Sequence, residues 1–345
     1  MMSRATLTNW TGLAGTGPDG MGTDVAGIVG LGGGRGPARL WPVLARAAGP
    51  GSLTVVASTA GDLRLHGLRI CPDLDTTLYA LSGRLDRGRG WGVRDESFRA
   101  MTALGELGGE AWFRLGDLDL ATHLYRTGLL TGGSTLTEAT ARLATALGVR
   151  VRVLPMSDQD VTTRITTTDG RLLTYQEYLV REQAAPGVRG VRFAGIGTAA
   201  PAAGVLAAID SADLIVLGPA DPVAGMLPIL GLPGVTQALE QRRDRVVAVS
   251  PVVAAAPGGD EAERRRGEAR AALLAAINLP DSASGVARLY RDICGRLIYD
   301  RADRGEGARI EAQGPRAVAA DLGLERGASP DSLLAALLGG PVIRS

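Results

Sequence analysis

"AAGVLAAIDSADLIVLGPADPV", residues 202–223, and "PGVTQALEQRRDRVVAVSP", residues 233–251, decide the fold class. Each holds a helix-spaced set of apolar residues, then a short aliphatic, β-branched run, then a turn with proline. Two helix–strand units in succession predict neighbouring parallel strands, because a hairpin cannot join strands that run the same way. Upstream, "DVAGIVGLGGGRG" (24–36) and "PARLWPVLARAAG" (37–49) spell strand, glycine loop and helix, with Pro37 suited to a first turn. "SLTVVAST" (52–59) is a further buried strand. The expected fold is α/β, a Rossmann-like, doubly wound, mostly parallel sheet. The loops "STAGD", "GPADP" and "SPVV" follow predicted strands, at the edge where open parallel sheets bind ligands.

Between these units the pattern changes. "DESFRAMTALGELG" from Asp95, "GDLDLATHLYRTGLL" from Gly116 and "STLTEATARLATALG" read as helices, and Thr135 with Glu138 has capping-box spacing. "TRITTTDGRLLTYQEYLV" places Asp169-Gly170 between two β-rich runs, which predicts a hairpin. The expected organisation is a flexible extension over 1–23 and one α/β domain over 24–345, with a helical and hairpin insertion at about 84–190. The tail is mostly helical, with "RLIYD" as an extra strand.

All 37 basic residues among the 345 are arginine, against 36 acids, so the formal charge is +1 and no global field favours nucleic acid or a membrane surface. Any anion must be held locally. Cys71 and Cys294 are too few and too distant in sequence for a disulfide scaffold or zinc site, which predicts buried thiols in a reducing cytoplasm. No apolar run reaches the roughly 20 residues of a spanning helix.

Scarce residues are concentrated. "HGLRICPDLDT" (66–76) holds one of two histidines, one of two cysteines, Asp73 and Asp75, and Asp62 lies eleven positions before Asp73. Oxygen-only clusters of this kind suit Mg²⁺, with Asp62 and Asp75 as candidate ligands. The plainer reading has Asp73 capping the helix that follows. "GDLDLATHLYR" (116–126) repeats the pattern with Asp117, Asp119, His123 and Arg126. On a helix Asp119 and His123 share a face, with Arg126 a turn beyond, yet the ligands are too few for zinc. Trp91 and Asp95 in "GWGVRDESF" offer a ring and a polar partner for a planar ligand, or a core tryptophan beside a helix start. Gly32, Gly33, Gly34 and Arg35 could cradle phosphate, although the loop is neither a lysine-bearing P-loop nor a complete dinucleotide fingerprint, and a plain flexible turn fits it too.

"HGLRICPDLDTTLYALSG", "GWGVRDESFRAM", "WFRLGDLDLATHLYRT", "TLTEATARLATALGVRVRVLPMSD" and "YQEYLVR" follow one another in the order and spacing of the 2-phospho-L-lactate transferase (CofD) family. The resemblance is close over 52–252 and looser in "SASGVARLYRDICGRLIYD". It implies a Rossmann-like enzyme that moves a phospholactyl or phosphoenolpyruvyl group from a guanosine-diphosphate-linked donor to the deazaflavin Fo, releasing GMP with Mg²⁺, and working as a homodimer. It also implies that Asp62, Asp73 and Asp75 are the catalytic acids at the metal and diphosphate. His66, Trp91, Asp95, Asp117, Asp119, His123 and Arg126 would then shape the substrate pocket.

Four loops depart from the family pattern. The glycine loop reads "GLGGGRGPAR", and "STAGD" has Gly61 where a second acid is expected and Ser58 in place of an asparagine. "PADPVAGMLPIL" carries Ala220, Asp221 and Met226 at polar positions, and "SPVVAAAPGGDEAERRRG" lacks a lysine-glycine-proline. Asp221 is expected to oppose an anionic donor as an uncompensated carboxylate. The leading expectation is therefore a transferase that is a specialised paralogue with an altered donor site. The rivals are a non-catalytic deazaflavin-binding or complex-forming protein and a nucleotide-binding regulator of the related cell-shape family.

Overall fold

A computed structural model describes residues 27–49, 51–253, 261–323 and 329–339; the expected extension over 1–23 lies outside the described residues. The strands are β1 (Ile28–Leu31), β2 (Leu53–Ala57), β3 (Leu63–Leu65), β4 (Leu68–Ile70), β5 (Arg152–Pro155), β6 (Thr162–Thr167), β7 (Leu172–Thr174), β8 (Val188–Ala194), β9 (Leu214–Leu217), β10 (Val246–Val249), β11 (Arg296–Asp300) and β12 (Arg316–Ala320). Seven form one sheet in the order β12-β11-β10-β9-β1-β2-β5. Every pairing in it is parallel. The runs IVGL, LIVL and VVAV of β1, β9 and β10 are buried at every position, as strands covered on both faces must be.

The helices are α1 (Arg35–Ala48), α2 (Pro72–Leu81), α3 (Arg99–Glu106), α4 (Asp117–Thr131), α5 (Leu136–Ala146), α6 (Val205–Ser211), α7 (Leu227–Leu230), α8 (Val235–Gln241), α9 (Glu261–Ala276), α10 (Ala283–Leu289), α11 (Gly307–Glu311) and α12 (Pro330–Leu338). On one face of the sheet Leu40, Trp41 and Leu44 of α1 pack with Leu333 and Leu337 of α12. The opposite face is covered by α6, α7, α8 and α10 through residues such as Val205, Ile229, Leu239 and Val286. The chain thus winds outward from β1 through β2 to β5, then returns to β9 on the other side. Between β1 and β9 the following helices part to opposite faces, which opens a crevice at the strands' carboxyl ends.

Gly36 pins one wall of this crevice. A Cβ there would lie 2.1 Å from the Pro219 carbonyl oxygen, so the start of α1 touches the loop after β9 backbone to backbone. Gly36→Ala is expected to lower stability by about 1–3 kcal/mol through this overlap. An unchanged thermal midpoint would show that the two loops part at no cost.

The excursion expected over about 84–190 is not one block. β5, in the middle of it, pairs in parallel with β2 at the sheet edge. Before β5 come the β3–β4 hairpin and helices α2 to α5; after it β7-β6-β8 form a separate antiparallel sheet. The Asp169-Gly170 hairpin and the "RLIYD" strand are present as expected, and β8 is an added third strand. Both cysteines are buried free thiols. Among the described residues no single helix is long and apolar enough to cross a membrane.

Candidate functional site

Asp73 stands where the glycine loop, α2 and the loop after β9 converge. A Cβ on Gly33 would lie 2.5 Å from the Asp73 Cβ, and one on Gly34 would lie 3.0 Å from Asp73 Oδ1. The loop is glycine-rich because this carboxylate presses on its backbone. Asp73 does not cap α2: Cys71 is the N-cap, without a side-chain hydrogen bond, and Pro72 occupies the first turn. The capping reading is therefore replaced by one in which the carboxylate faces the crevice. Half-buried in this recess, Asp73 has its carboxyl raised to about 7, first by burial and then by Asp62 and Asp221, with Arg266 opposing.

Asp62 lies in the loop after β2. Its Oδ2 accepts from Arg69 Nε at 3.2 Å and Nη2 at 2.9 Å, while Oδ1 is buried without a hydrogen-bond partner. Burial raises this carboxyl to about 6 against the pull of Arg69. Arg69 comes from β4 and also reaches Asp160. The hairpin that sets Asp62 beside Arg69 turns on His66 and Gly67, whose φ values are 53° and 76°. That pair makes a two-residue turn of the kind favoured between twisted strands. The His66 ring is exposed at its tip.

Behind these acids lies a buried polar frame. Arg126 is 0% exposed and forks onto Asp75, with Nη1 donating to Oδ2 at 3.1 Å and Nη2 to Oδ1. The same Nη1 reaches the Arg69 carbonyl at 3.5 Å and His123 Nδ1 at 3.3 Å. His123 Nε2 stands 3.3 Å from Asp119 Oδ2, and the Tyr79 hydroxyl donates to Asp119 Oδ1 at 2.7 Å. Burial works against the Asp119 carboxylate, but His123 and Tyr79 hold its pKa below the ordinary value. One ligand atom each from Asp75, Asp119 and His123 lie within 4.8 Å of one another. Asp75, expected to hold Mg²⁺, has both oxygens engaged by Arg126.

The remaining expected residues divide between crevice and scaffold. The Arg35 side chain lies along the Gly90 backbone, where a Cβ would come within 2.3 Å of Nε, so the "GWG" loop covers the glycine loop's arginine. Trp91 meets Phe98 edge to face at 6.2 Å, and the Arg89 guanidinium lies 5.4 Å from its centroid. Asp95 is exposed, with φ at 57°. Asp117 accepts from the backbone N–H groups of Arg99 and Ala100 at 3.2 and 3.0 Å and so starts α3. Glu96 returns the favour at α4, accepting from Leu118 and Asp119 at 2.7 and 3.1 Å. This exchange explains why α3 begins at Arg99 rather than Asp95.

Asp221 corrects an expectation. Its Oδ1 accepts from Val223 N at 2.9 Å and Ala224 N at 2.7 Å, capping the π-helical turn Pro222–Met226. The charge is compensated by two amides, although burial still raises the carboxyl. Met226 is wholly buried, with Sδ 3.4 Å from the position of a Cβ on Gly32. It packs beneath the loop rather than facing a ligand.

Three residues near the acids escape the sequence reading. Gln176 Nε2 donates to the Gly61 carbonyl at 3.1 Å, Tyr175 stands beside it, and the charge of Arg266 on α9 works against the rise of the Asp73 and Tyr175 pKa values. "YQEYLVR" carries the resemblance, but nothing in its spacing brings it to "STAGD". On the far side of Arg69 a cavity of about 240 Å³ is lined by Arg64, Thr127, Ser134, Asp158 and Asp160 as well.

A family profile described as 2-phospho-L-lactate transferase CofD matches residues 28–300. The chain is 38% identical over 291 residues to the 2-phospho-L-lactate transferase of Methanosarcina acetivorans, covering 84% of this chain and 91% of that one. It is 39% identical over 293 residues to the phosphoenolpyruvate transferase of Kitasatospora aureofaciens, covering 83% and 89%. A crystal structure of a UPF0052 family protein from Bacillus halodurans has the same fold, with a TM-score of 0.56 at 18% identity over 87% of this chain and 93% of that one. The chain accordingly belongs to the 2-phospho-L-lactate transferase CofD family and is a transferase.

Proposed function

We propose that the protein transfers a phosphate-linked small acid, of phospholactyl or phosphoenolpyruvyl type, from a guanosine-diphosphate-type donor to a hydroxylated, deazaflavin-like acceptor. The observation that carries this reading is the convergence of the glycine loop, Asp62 and Asp73 on the crevice between β1 and β9. Backbone amides of Gly32 to Gly34 and the start of α1 suit phosphate oxygens. Arg35 adds a cation, and the "GWG" loop that covers it supplies Trp91 for a planar acceptor.

Mg²⁺ fits the acids in one arrangement better than in another. Asp62 Oδ1 is buried without a donor, and Asp73 has no hydrogen-bond partner for its carboxylate among the described residues, so these two would hold the ion. Asp75, already forked by Arg126, would brace α2 instead. When bound, the ion would neutralise charge developing on the diphosphate. Asp73 would accept the acceptor hydroxyl's proton, and Arg69 would keep Asp62 ionised.

The altered donor site is part of this reading in a limited form. Gly61 removes one acid from the loop after β2, and the Asp221 carboxylate is held by amides rather than offered to the donor. The protein would be incubated with Mg²⁺, Fo and either lactyl or enolpyruvyl diphosphoguanosine, with products identified by mass. Transfer to Fo with release of GMP is expected. Saturable quenching of Fo fluorescence without transfer from either donor would instead support the non-catalytic binder.

A further inference from the structure

Helix α9 packs through Ala269 and Leu273 against Tyr175 and against Val223 and Ala224 of the turn after β9, and it reaches α1 through Glu263. Glu263, Arg266, Arg270 and Leu273 recur on one face at helical spacing. Leu273 is fully buried, Arg270 bonds Asp281 at 2.7 and 3.1 Å and the Pro251 carbonyl at 3.2 Å, and Glu263 pairs with Arg39 of α1 at 3.4 Å. Arg266 therefore stands between two anchors, one on the helix that follows the glycine loop and one on the loop after β10. Its Nη1 donates to the Ala262 carbonyl at 3.2 Å, which lays the guanidinium back along α9 toward the Arg39 anchor.

We propose that Arg266 is a binding residue for the anionic donor, meeting its diphosphate from α9 beside Asp73. Asp62 and Asp73 converge there, and a diphosphate entering beside these carboxylates needs a fixed cation beyond the metal. Tyr175, whose ring lies 3.8 Å from the position of a Cβ on Gly61 beside Asp62, packs against Ala269 and Leu273, which brings α9 and Arg266 to the loop that carries the acids. A guanidinium suits this position because its planar fork can engage two phosphate oxygens at once. The inference deepens the transferase reading and rests on a phosphate-linked donor.

Calorimetry with GDP and with inorganic pyrophosphate, in Mg²⁺, would compare the wild type with Arg266→Ala, Arg266→Lys and Arg265→Ala. Arg265 pairs with Glu261 on its own helix and serves as the neighbouring control. Arg266→Ala is expected to weaken both ligands about 10- to 100-fold, the loss of a hydrogen bond between charged groups, with partial recovery in Arg266→Lys. Arg265→Ala should stay within about twofold, as an exposed helix pair would. Fo affinity and thermal midpoint should hold in all three variants. GDP and pyrophosphate binding unchanged in Arg266→Ala would overturn the assignment and leave the transferase reading intact. Equal weakening of Fo would also overturn it, by showing that α9 is merely structural. A wild type that binds neither GDP nor pyrophosphate would remove the donor reading itself.

Discussion

Asp73→Asn is expected to lower kcat by about 10²- to 10⁴-fold, the usual contribution of a positioned general base, while making the ligand-free protein more stable at pH 8. The two effects share one cause. The Asp73 carboxyl titrates at about 7 in the fold, against roughly 3.9 in an unfolded chain. Between those values the folded protein holds more protons than the unfolded one, so stability falls as pH rises through the window and the cost is fully present above it. Asparagine removes the charge that burial and Asp62 oppose. After allowance for partial exposure the gain is about 1–2 kcal/mol, or about 2–6 °C in Tm. The wild-type kcat/KM should show an ascending limb near neutrality at low Mg²⁺, moving to lower pH as the ion is raised, and the variant should lack it. Wild-type turnover by Asp73→Asn would end its assignment as the base. A lower Tm at pH 8 would mean that its carboxylate is already neutralised in the ligand-free protein.

Five of the seven central strands were legible, because strands buried on both faces advertise themselves as aliphatic runs, and "LIVL" and "VVAV" follow helices that end in short turns; β5 and β12 at the two edges went unread. β8 carried less signal: in its sequence VRGVRFA five residues are half-buried, Arg189 and Arg192 are exposed and none is buried, so it shows neither a solid apolar run nor a clean alternation. In the site, spacing could show that Asp73 and Asp75 sit at the start of one helix, but not which partner reaches across to each. Arg126 comes from α4 and takes Asp75; Asp73 presses on the glycine loop. Some functional-looking residues proved to serve local geometry. Asp221 precedes Pro222 and caps the next turn, a signal present in the sequence. His66 precedes Gly67 between two short strands, a turn signal masked by the rarity of histidine in this chain. Arg266 and Tyr175 had no such local marker, since α9 and the β7 arm bring them to the acids from far along the chain.

The largest loss of stability is expected at Arg126. Arg126→Met would leave the Asp75 carboxylate, 4% exposed, without the guanidinium that forks onto both its oxygens. Removing one half of a buried pair costs about 3–5 kcal/mol, or about 6–15 °C in Tm for a chain of this size. Chemical denaturation at pH 7 would measure it. Combining Arg126→Met with Asp75→Leu should recover most of the loss, because an apolar pair of similar volume carries no uncompensated charge. The double variant then separates stability from function. Arg126 also contacts the Arg69 carbonyl, and Arg69 fixes Asp62, so one buried guanidinium sets the spacing between the α2 acids and the β2 loop. A folded double variant is therefore expected to lose about tenfold in kcat through misplacement of Asp62 and Asp73. A cost below about 1 kcal/mol for Arg126→Met alone would point elsewhere. Asp75 would then be balanced by a cation held with Asp119 and His123, and EDTA would destabilise that variant far more than the wild type.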